Sequence, residues 1–334
     1  MKTFIIAEVG QAHDGSLGIL HSYIDALSQT GVDAVKFQMH IAESESSEYE
    51  PFRVRFSYED NSRYDYWKRM EFSLEQWHEI KKHCDDVGLE FICSPFSNMA
   101  VDWLIELNVQ KYKVGSGEVG NFLMLEKIAK TGKEIILSSG MSSFLEIDET
   151  INFFKKFDNK ISILQCTTKY PTKAKDIGLN VIEELRNRYK LEVGFSDHSG
   201  VIYPSLAAVS LGVTILEFHA VFDKKMFGPD SNSSLSMSQI THLVEGVRFI
   251  EESLESKIDK SDTTKFKNLK DIFEKSLAVN KNMKSGEVIA FDDLEAKKPS
   301  NQGIPAKKVS YVIGKKLKNN IKKWDFLKER DLSE

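Results

Sequence analysis

Leu191-Glu192-Val193-Gly194-Phe195-Ser196-Asp197-His198 and Thr214-Ile215-Leu216-Glu217-Phe218-His219 are the two stretches that decide the fold. Each starts as a short run of strand character and finishes in polar, chemistry-bearing side chains. Working back towards the start, the same pattern recurs. Strands are expected at Phe4 to Glu8, Asp33 to Gln38, Leu89 to Ser94, Lys111 to Val114, Glu134 to Ser138 and Ile161 to Cys166, then at Leu191 to Phe195 and Thr214 to His219. Longer amphipathic stretches lie between them, such as Ser16 to Thr30, Leu74 to Val87, Phe144 to Lys156 and Ser238 to Leu254. Short apolar runs alternating with helical periods are the sequence form of βα units on a parallel sheet. Eight such units in about 250 residues match a closed (β/α)8 TIM barrel. An open doubly wound sheet is the main alternative. It lacks its fingerprint here, because Gly10-Gln11-Ala12-His13-Asp14-Gly15 has the wrong glycine spacing for a dinucleotide turn.

Two segments depart from the alternation. Residues 40 to 73, with Tyr58, Tyr64, Tyr66 and Trp67, form a long polar and aromatic insertion after the second strand, where a barrel would place a lid or a tolerated loop. Residues 256 to 274 are rich in Lys, Asp, Ser and Thr and read as a linker. The expected domains are therefore a barrel over 1 to 255 and a small domain over 275 to 334. Turn signals at Lys284-Ser285-Gly286-Glu287, Lys298-Pro299 and Gly303-Ile304-Pro305 suit a compact, β-rich tail.

Composition narrows the partners. With 45 Lys and Arg against 50 Asp and Glu, the net charge is -5, so no global field draws nucleic acid or anionic lipid. An anionic substrate has to be held by local basic residues. The start of the chain lacks the form of a secretory signal and no apolar run reaches membrane length, which makes a cytoplasmic location the expectation. Cys84, Cys93 and Cys166 show no CxxC spacing and are expected as buried thiols.

In a parallel barrel the active site is built at the C-terminal strand ends. Glu8 closes the first strand, while Lys36 and Gln38 share one face of the second because side chains repeat every second residue. Ser94 closes the third. After the fourth, Lys113-Val114-Gly115-Ser116-Gly117-Glu118 offers a cation and small residues whose N–H groups can approach an anion. Ser138-Ser139-Gly140-Met141 and Thr167-Thr168-Lys169-Tyr170-Pro171 follow the fifth and sixth. His198 and His219 end adjacent strands, so two imidazoles converge on one rim. Taken alone, such histidines suit a hydrogen-bonded structural role as well as a divalent metal, and the residues leave both open. His13 lies near the mouth with its role open, whereas His21, His78, His83 and His242 fall on helices and His40 in the insertion.

In this order these runs resemble the N-acetylneuraminate synthase family of sialic-acid-type synthases. The resemblance is carried by Ile5-Ile6-Ala7-Glu8-Val9-Gly10, His13-Asp14-Gly15, Val35-Lys36-Phe37-Gln38 and Ser94-Pro95-Phe96. It continues through Tyr112 to Glu118, Leu137 to Met141, Cys166-Thr167 with Tyr170-Pro171-Thr172, Gly194 to His198, and Gly228-Pro229-Asp230. The tail is similar to the family's antifreeze-like (SAF) domain through Lys284 to Glu287, Lys298-Pro299 and Val312-Ile313-Gly314-Lys315.

The resemblance implies phosphoenolpyruvate (PEP) and an N-acetylated amino-hexose as substrates, joined with release of phosphate. By matching position it implies PEP contacts from Lys36, Ser94, Lys113, Ser116, Thr168 and Ser196, and proton transfer by Glu8 and Glu118. Acceptor contacts would come from Gln38, Tyr170, Asp230 and Lys298. It further implies a divalent metal on His198 and His219, Mn2+ foremost with Mg2+ or Co2+ as alternatives, and a domain-swapped homodimer. Three positions depart from the family pattern: Ala12, Thr168, and Lys298 where many members carry arginine and its bidentate fork. The competing readings are a PEP-dependent octulosonate or heptulosonate synthase and a catalytically silent sugar-binding barrel.

Overall fold

The computed structural model describes residues 2–54 and 56–333. Eight parallel strands, β1 (Phe4–Glu8), β2 (Ala34–Met39), β3 (Glu90–Pro95), β4 (Lys111–Val114), β5 (Glu134–Ser138), β6 (Ile161–Cys166), β7 (Glu192–Asp197) and β8 (Ile215–Val221), pair in chain order. β1 also pairs with β8, from Phe4↔Ile215 to Glu8↔His219, which closes the (β/α)8 barrel. A short strand, β9 (Leu235–Ser236), adds to the end of β8.

The helices begin where serine side chains can take up their free N–H groups. Ser16 caps α1 (Leu17–Ser28), and Ser73 and Ser143 form capping boxes with Gln76 and Glu146 at two later helices, Leu74–Asp86 and Phe144–Phe154. Each such helix buries one stripe, for example Leu20, Tyr23, Ile24 and Leu27 of α1, against the outward face of the barrel. Fully burying a side chain of this size stabilises by about 1.5–3 kcal/mol.

The barrel's inner face is what positions the site. Ile6, Ala34, Ile92, Ile136, Leu164 and Ile215 form a separate apolar cluster that plugs the interior. Gly194 fits this layer because a Cβ there would stand 2.3 Å from Leu164 Cδ2 and 2.7 Å from the Ile215 carbonyl oxygen. Two residues further along each strand the inward positions become polar: Glu8, Lys36, Ser94, Lys113, Ser138, Cys166, Ser196 and Glu217.

Residues 40 to 73 are more ordered than a loop. They hold α2 (Ala42–Glu45) and α3 (Arg63–Met70), the latter started by a Ser62/Asp65 capping box, and Tyr66, Trp67 and Met70 pack with Ala42 in a small core. Tyr49 and Tyr58 are exposed. No helix among the described residues is long and apolar enough to cross a membrane.

Residues Lys257–Glu334 form a second compact unit. Its core is Leu277, Val279, Met283, Ile289, Ile304, Val312, Leu317, Ile321, Leu327 and Leu332. An antiparallel pair, β10 (Ser276–Val279) and β11 (Leu294–Lys297), and several single bridges hold it. The stretch expected as linker contains a further helix, Lys267–Phe273, where Phe266, Leu269, Ile272 and Phe273 recur at helical spacing and stay exposed.

Candidate active site

A cavity of about 510 Å³ opens at the C-terminal ends of the strands. Lys36, Gln38, Ser94, Lys113, Ser116, Glu118, Thr168, Tyr170, Ser196, His198, His219 and Asp230 line it, so the site expected from sequence is brought together within the barrel. Two expected residues stand apart. Glu8 is fully buried but is not on the cavity wall, because Lys36 stands in front of it and forms an ion pair with its Oε2. Lys298 belongs to the second unit, where its ammonium lies 4.9 Å from the ring centroid of Phe273.

The floor is a buried set of charges. Glu217, to which the sequence reading gave no role, has Oε1 3.5 Å from the ammonium of Lys113 and Oε2 3.9 Å from that of Lys36. Ser196 Oγ donates to Glu217 Oε1 at 3.0 Å, and the ammonium of Lys113 donates to Ser138 Oγ at 2.6 Å. Burial pushes the Glu217 carboxyl up, but Lys113 and Lys36 outweigh it and bring it to about 2. For Lys36, burial pulls down while Glu217 and Glu8 pull harder the other way, so it stays a cation. Burial prevails at Lys113, which is lowered despite Glu217. Burial also raises Glu8 above the ordinary carboxylate range. Buried charges persist only when paired and hydrogen-bonded, and here oxygens are left over: Glu8 Oε1, Glu217 Oε2 and Thr168 Oγ1 have no hydrogen-bond partner.

Above the floor, Gly140 leaves open a small cradle. A Cβ at this position would lie 2.4 Å from Thr168 Oγ1 and 2.6 Å from Ser116 Oγ, so the glycine lets two hydroxyls converge beside Lys113 and Ser138. Cations, hydroxyls and small residues in this arrangement suit a ligand with several anionic oxygens.

His198 and His219 sit higher, with ring centroids 5.2 Å apart. The Nδ1 of His198 lies 3.0 Å from the Thr167 carbonyl oxygen, to which it can donate, and this leaves Nε2 as an acceptor facing Tyr170 Oη at 3.2 Å. Burial lowers His219 to about 3, so it is neutral. A neutral imidazole and an oriented one are the donor chemistry of a divalent ion. Among the described residues no group of three or more His, Cys, Asp and Glu is arranged to hold a metal. Cys84, Cys93 and Cys166 are free and buried; Cys166 also lines the cavity, 3.8 Å from His198 Nδ1. His13 is buried off the cavity, its Nδ1 accepting from the Gly15 N–H at 3.1 Å, which makes it a brace of the first loop.

The mouth is built by the insertion, in which the sequence reading named Trp67 and His40 but passed over the charged residues. From the insertion, Glu45, Glu50, Arg53, Arg63 and Trp67 line the cavity, together with His40. His40 stacks on Trp67 and Phe96 with centroids at 3.8 and 4.6 Å, and its Nδ1 lies 2.7 Å from Glu45 Oε1. Arg53 donates from Nη2 to Asp230 Oδ1 at 2.9 Å and lies 4.4 Å from the ring centroid of Tyr170. Burial raises Glu118, opposed by a hydrogen bond from Asn121 Nδ2 at 2.8 Å.

Fold and cavity together define a TIM-barrel enzyme with a buried, lysine-bearing floor and a polar mouth. The chain belongs to the NeuB family, whose model matches residues 23–259, and an SAF domain matches residues 274–332. It is 35% identical to an N,N'-diacetyllegionaminic acid synthase of Campylobacter jejuni, over 98% of this chain and 99% of that protein. It is 33% identical to the human N-acetylneuraminate-9-phosphate synthase, over 98% and 91%. Among solved structures it resembles an N-acetylneuraminic acid synthetase from Leptospira borgpetersenii crystallised with citrate. That likeness has a TM-score of 0.71 and 28% identity, over 80% of this chain and 90% of that one.

Proposed function

We propose that the chain is a nonulosonate synthase, which condenses PEP with an N-acetylated amino-hexose and releases phosphate. The observation that carries this reading is one closed-floor cavity in which Lys36, Lys113 and the hydroxyls of Ser94, Ser116, Thr168 and Ser196 lie beneath His198 and His219. Two ammonium groups and several hydroxyls match the carboxylate and phosphate of PEP.

In this reading C3 of PEP bonds to the aldehyde carbon of the acceptor, and water adds at C2. Phosphate then leaves with its bridging oxygen, by C–O cleavage. The divalent ion that His198 and His219 would hold supplies Lewis-acid polarisation of the aldehyde. Glu118 stands on the wall with its carboxyl raised by burial, fit to carry a proton to or from the water and the sugar oxygens. Glu8 acts from beneath, holding the ammonium of Lys36 and exchanging protons with it. Gln38, Tyr170 and Asp230 contact the acceptor. Residues 1 to 255 are the catalytic domain and 275 to 334 the SAF domain. In a domain-swapped homodimer Lys298 of one subunit would reach the acceptor held by the other. Exposed Leu269, Ile272 and Phe273 in the second unit, and Phe249 on the last barrel helix, give such an assembly apolar surface to bury.

Phosphate release from PEP across acetamido-hexoses, arabinose 5-phosphate and erythrose 4-phosphate tests the reading, with and without chelation. Turnover with an acetamido sugar is expected to be abolished by chelation and restored by Mn2+, and lowered about 100-fold in His198→Ala or His219→Ala. Use of the sugar phosphates alone would overturn it in favour of an octulosonate or heptulosonate synthase.

A further inference from the structure

His21 and His83, which the proposed chemistry leaves unused, meet on the outer ring of helices. There α1 packs beside α4 (Leu74–Asp86), and each helix carries one imidazole and one carboxylate four residues apart. On α1 these are His21 and Asp25; on α4 they are Glu79 and His83. Residues at i and i+4 share a helix face, so each helix turns both of its groups the same way. None of the four lines the catalytic cavity.

The two imidazoles meet through the same atom. Nδ1 of His21 lies 2.8 Å from Nδ1 of His83, with the ring centroids 4.9 Å apart. On the far side of His83, Nε2 lies 2.9 Å from Asp25 Oδ1. A carboxylate only accepts, so Nε2 carries the hydrogen and the uncharged ring has its lone pair on Nδ1. A carboxylate behind one ring nitrogen is how proteins fix the tautomer of a histidine whose other nitrogen binds a metal. Burial and the neighbouring His83 lower His21 from its ordinary value, against the opposing pull of Glu79 and Asp25, which favours the uncharged form that a ligand needs.

With the His21 hydrogen on Nε2, two lone pairs face one gap. Zn–N bonds of about 2.0–2.1 Å at tetrahedral angles put two such nitrogens about 3.3 Å apart. The rings therefore have to part by about 0.5 Å, which a small side-chain rotation supplies. Glu79 is exposed one turn from His83 and is an oxygen donor for a third position, with water for the fourth.

We propose that His21 and His83 form a divalent-cation site of zinc type, separate from the catalytic cavity, which clips α1 to α4 and is held in shape by Asp25. It stands apart from the synthase reading.

The test is calorimetric titration of Zn2+ into the metal-stripped full-length chain carrying His198→Ala and His219→Ala, so that the cavity's imidazoles take no ion. One equivalent of Zn2+ is expected to bind and to raise the thermal midpoint. Adding His21→Ala or His83→Ala should abolish both effects, while Asp25→Asn should weaken binding about tenfold. Cooperative unfolding of each variant without Zn2+ shows that it is folded. No Zn2+ bound by the starting variant, or binding unmoved by both His21→Ala and His83→Ala, would overturn the proposal and leave the pair a hydrogen-bonded staple.

Discussion

Ser196 and Glu217 are joined across β7 and β8 by a hydrogen bond of 3.0 Å from the serine hydroxyl to the carboxylate. Glu217 thereby ties the Ser196 hydroxyl to both buried lysines, through 3.5 Å to Lys113 and 3.9 Å to Lys36. It is the counter-charge that lets two ammonium groups share one buried floor.

Replacing that charge should act through Lys113. Burial already lowers this lysine, and Glu217 is the first influence opposing it. In Glu217→Gln the ammonium should lose its proton at a lower pH. Activity that needs the cation is then lost earlier as pH rises, so the alkaline limb of the pH profile should move to lower pH. KM for PEP at neutral pH should rise about tenfold, as for a lost interaction of about 1.4 kcal/mol. An alkaline limb that stays in place would show that Glu217 does not govern the charge of Lys113.

His13 predicts a pH dependence of stability unrelated to catalysis. Burial, with His40 and Arg69 adding to it, lowers it from 6.5 to about 3 in the folded chain. The unfolded chain therefore binds the extra proton first. Stability should fall as pH drops from 6.5 towards 3, by up to about 1.4 kcal/mol per pH unit from this group alone. His13→Asn keeps an acceptor for the Gly15 N–H and cannot be protonated in this range. Urea unfolding at pH 7 and pH 5 should show a smaller loss in the variant than in the unsubstituted chain.

Gly194→Ala tests the interior plug. The added methyl would meet Leu164 Cδ2 and the Ile215 backbone oxygen well inside contact distance. Overpacking of this kind typically costs about 1–3 kcal/mol. A lowered denaturation midpoint with an unchanged m-value is expected.

The proposed dimer predicts complementation. Glu118→Ala and Lys298→Ala chains, each inactive alone, should regain activity when mixed, because one of the two composite sites then holds both intact residues. Purified mixed dimers without recovery would confine Lys298 to its own chain or to no role.

The barrel was legible because each strand repeats one period. The predicted strands differ from the observed ones by at most two residues at either end, most at β7 and β8, where Ser196-Asp197 and Ala220-Val221 still belong to the ladder. The same period placed Glu217 two residues before His219 on one inward face, so its presence at the floor was readable in the spacing. Its role depended on the two lysines across the barrel, which spacing along one strand does not report. Glu8 was expected on the wall, but the position of Lys36 in front of it depends on side-chain directions. Arg53 and Arg63 belong to an insertion with no repeating period, and only the fold brings them over Tyr170 and Trp67. For the same reason only Trp67 of the insertion's tyrosines and tryptophan lines the cavity, while Tyr49 and Tyr58 are exposed.

The plug formed by Ile6, Ala34, Ile92, Ile136, Leu164 and Ile215 makes the barrel a vessel with one door. Whatever belongs at the bottom has to be aboard before whatever belongs at the top, and the topmost piece has to depart, or be joined to the one below, before the bottom is free. For two substrates stacked in that way the kinetics acquire a compulsory order of arrival. If PEP takes the floor as proposed, it is expected to enter first and the sugar second, with an excess of sugar delaying turnover by occupying the doorway ahead of its partner.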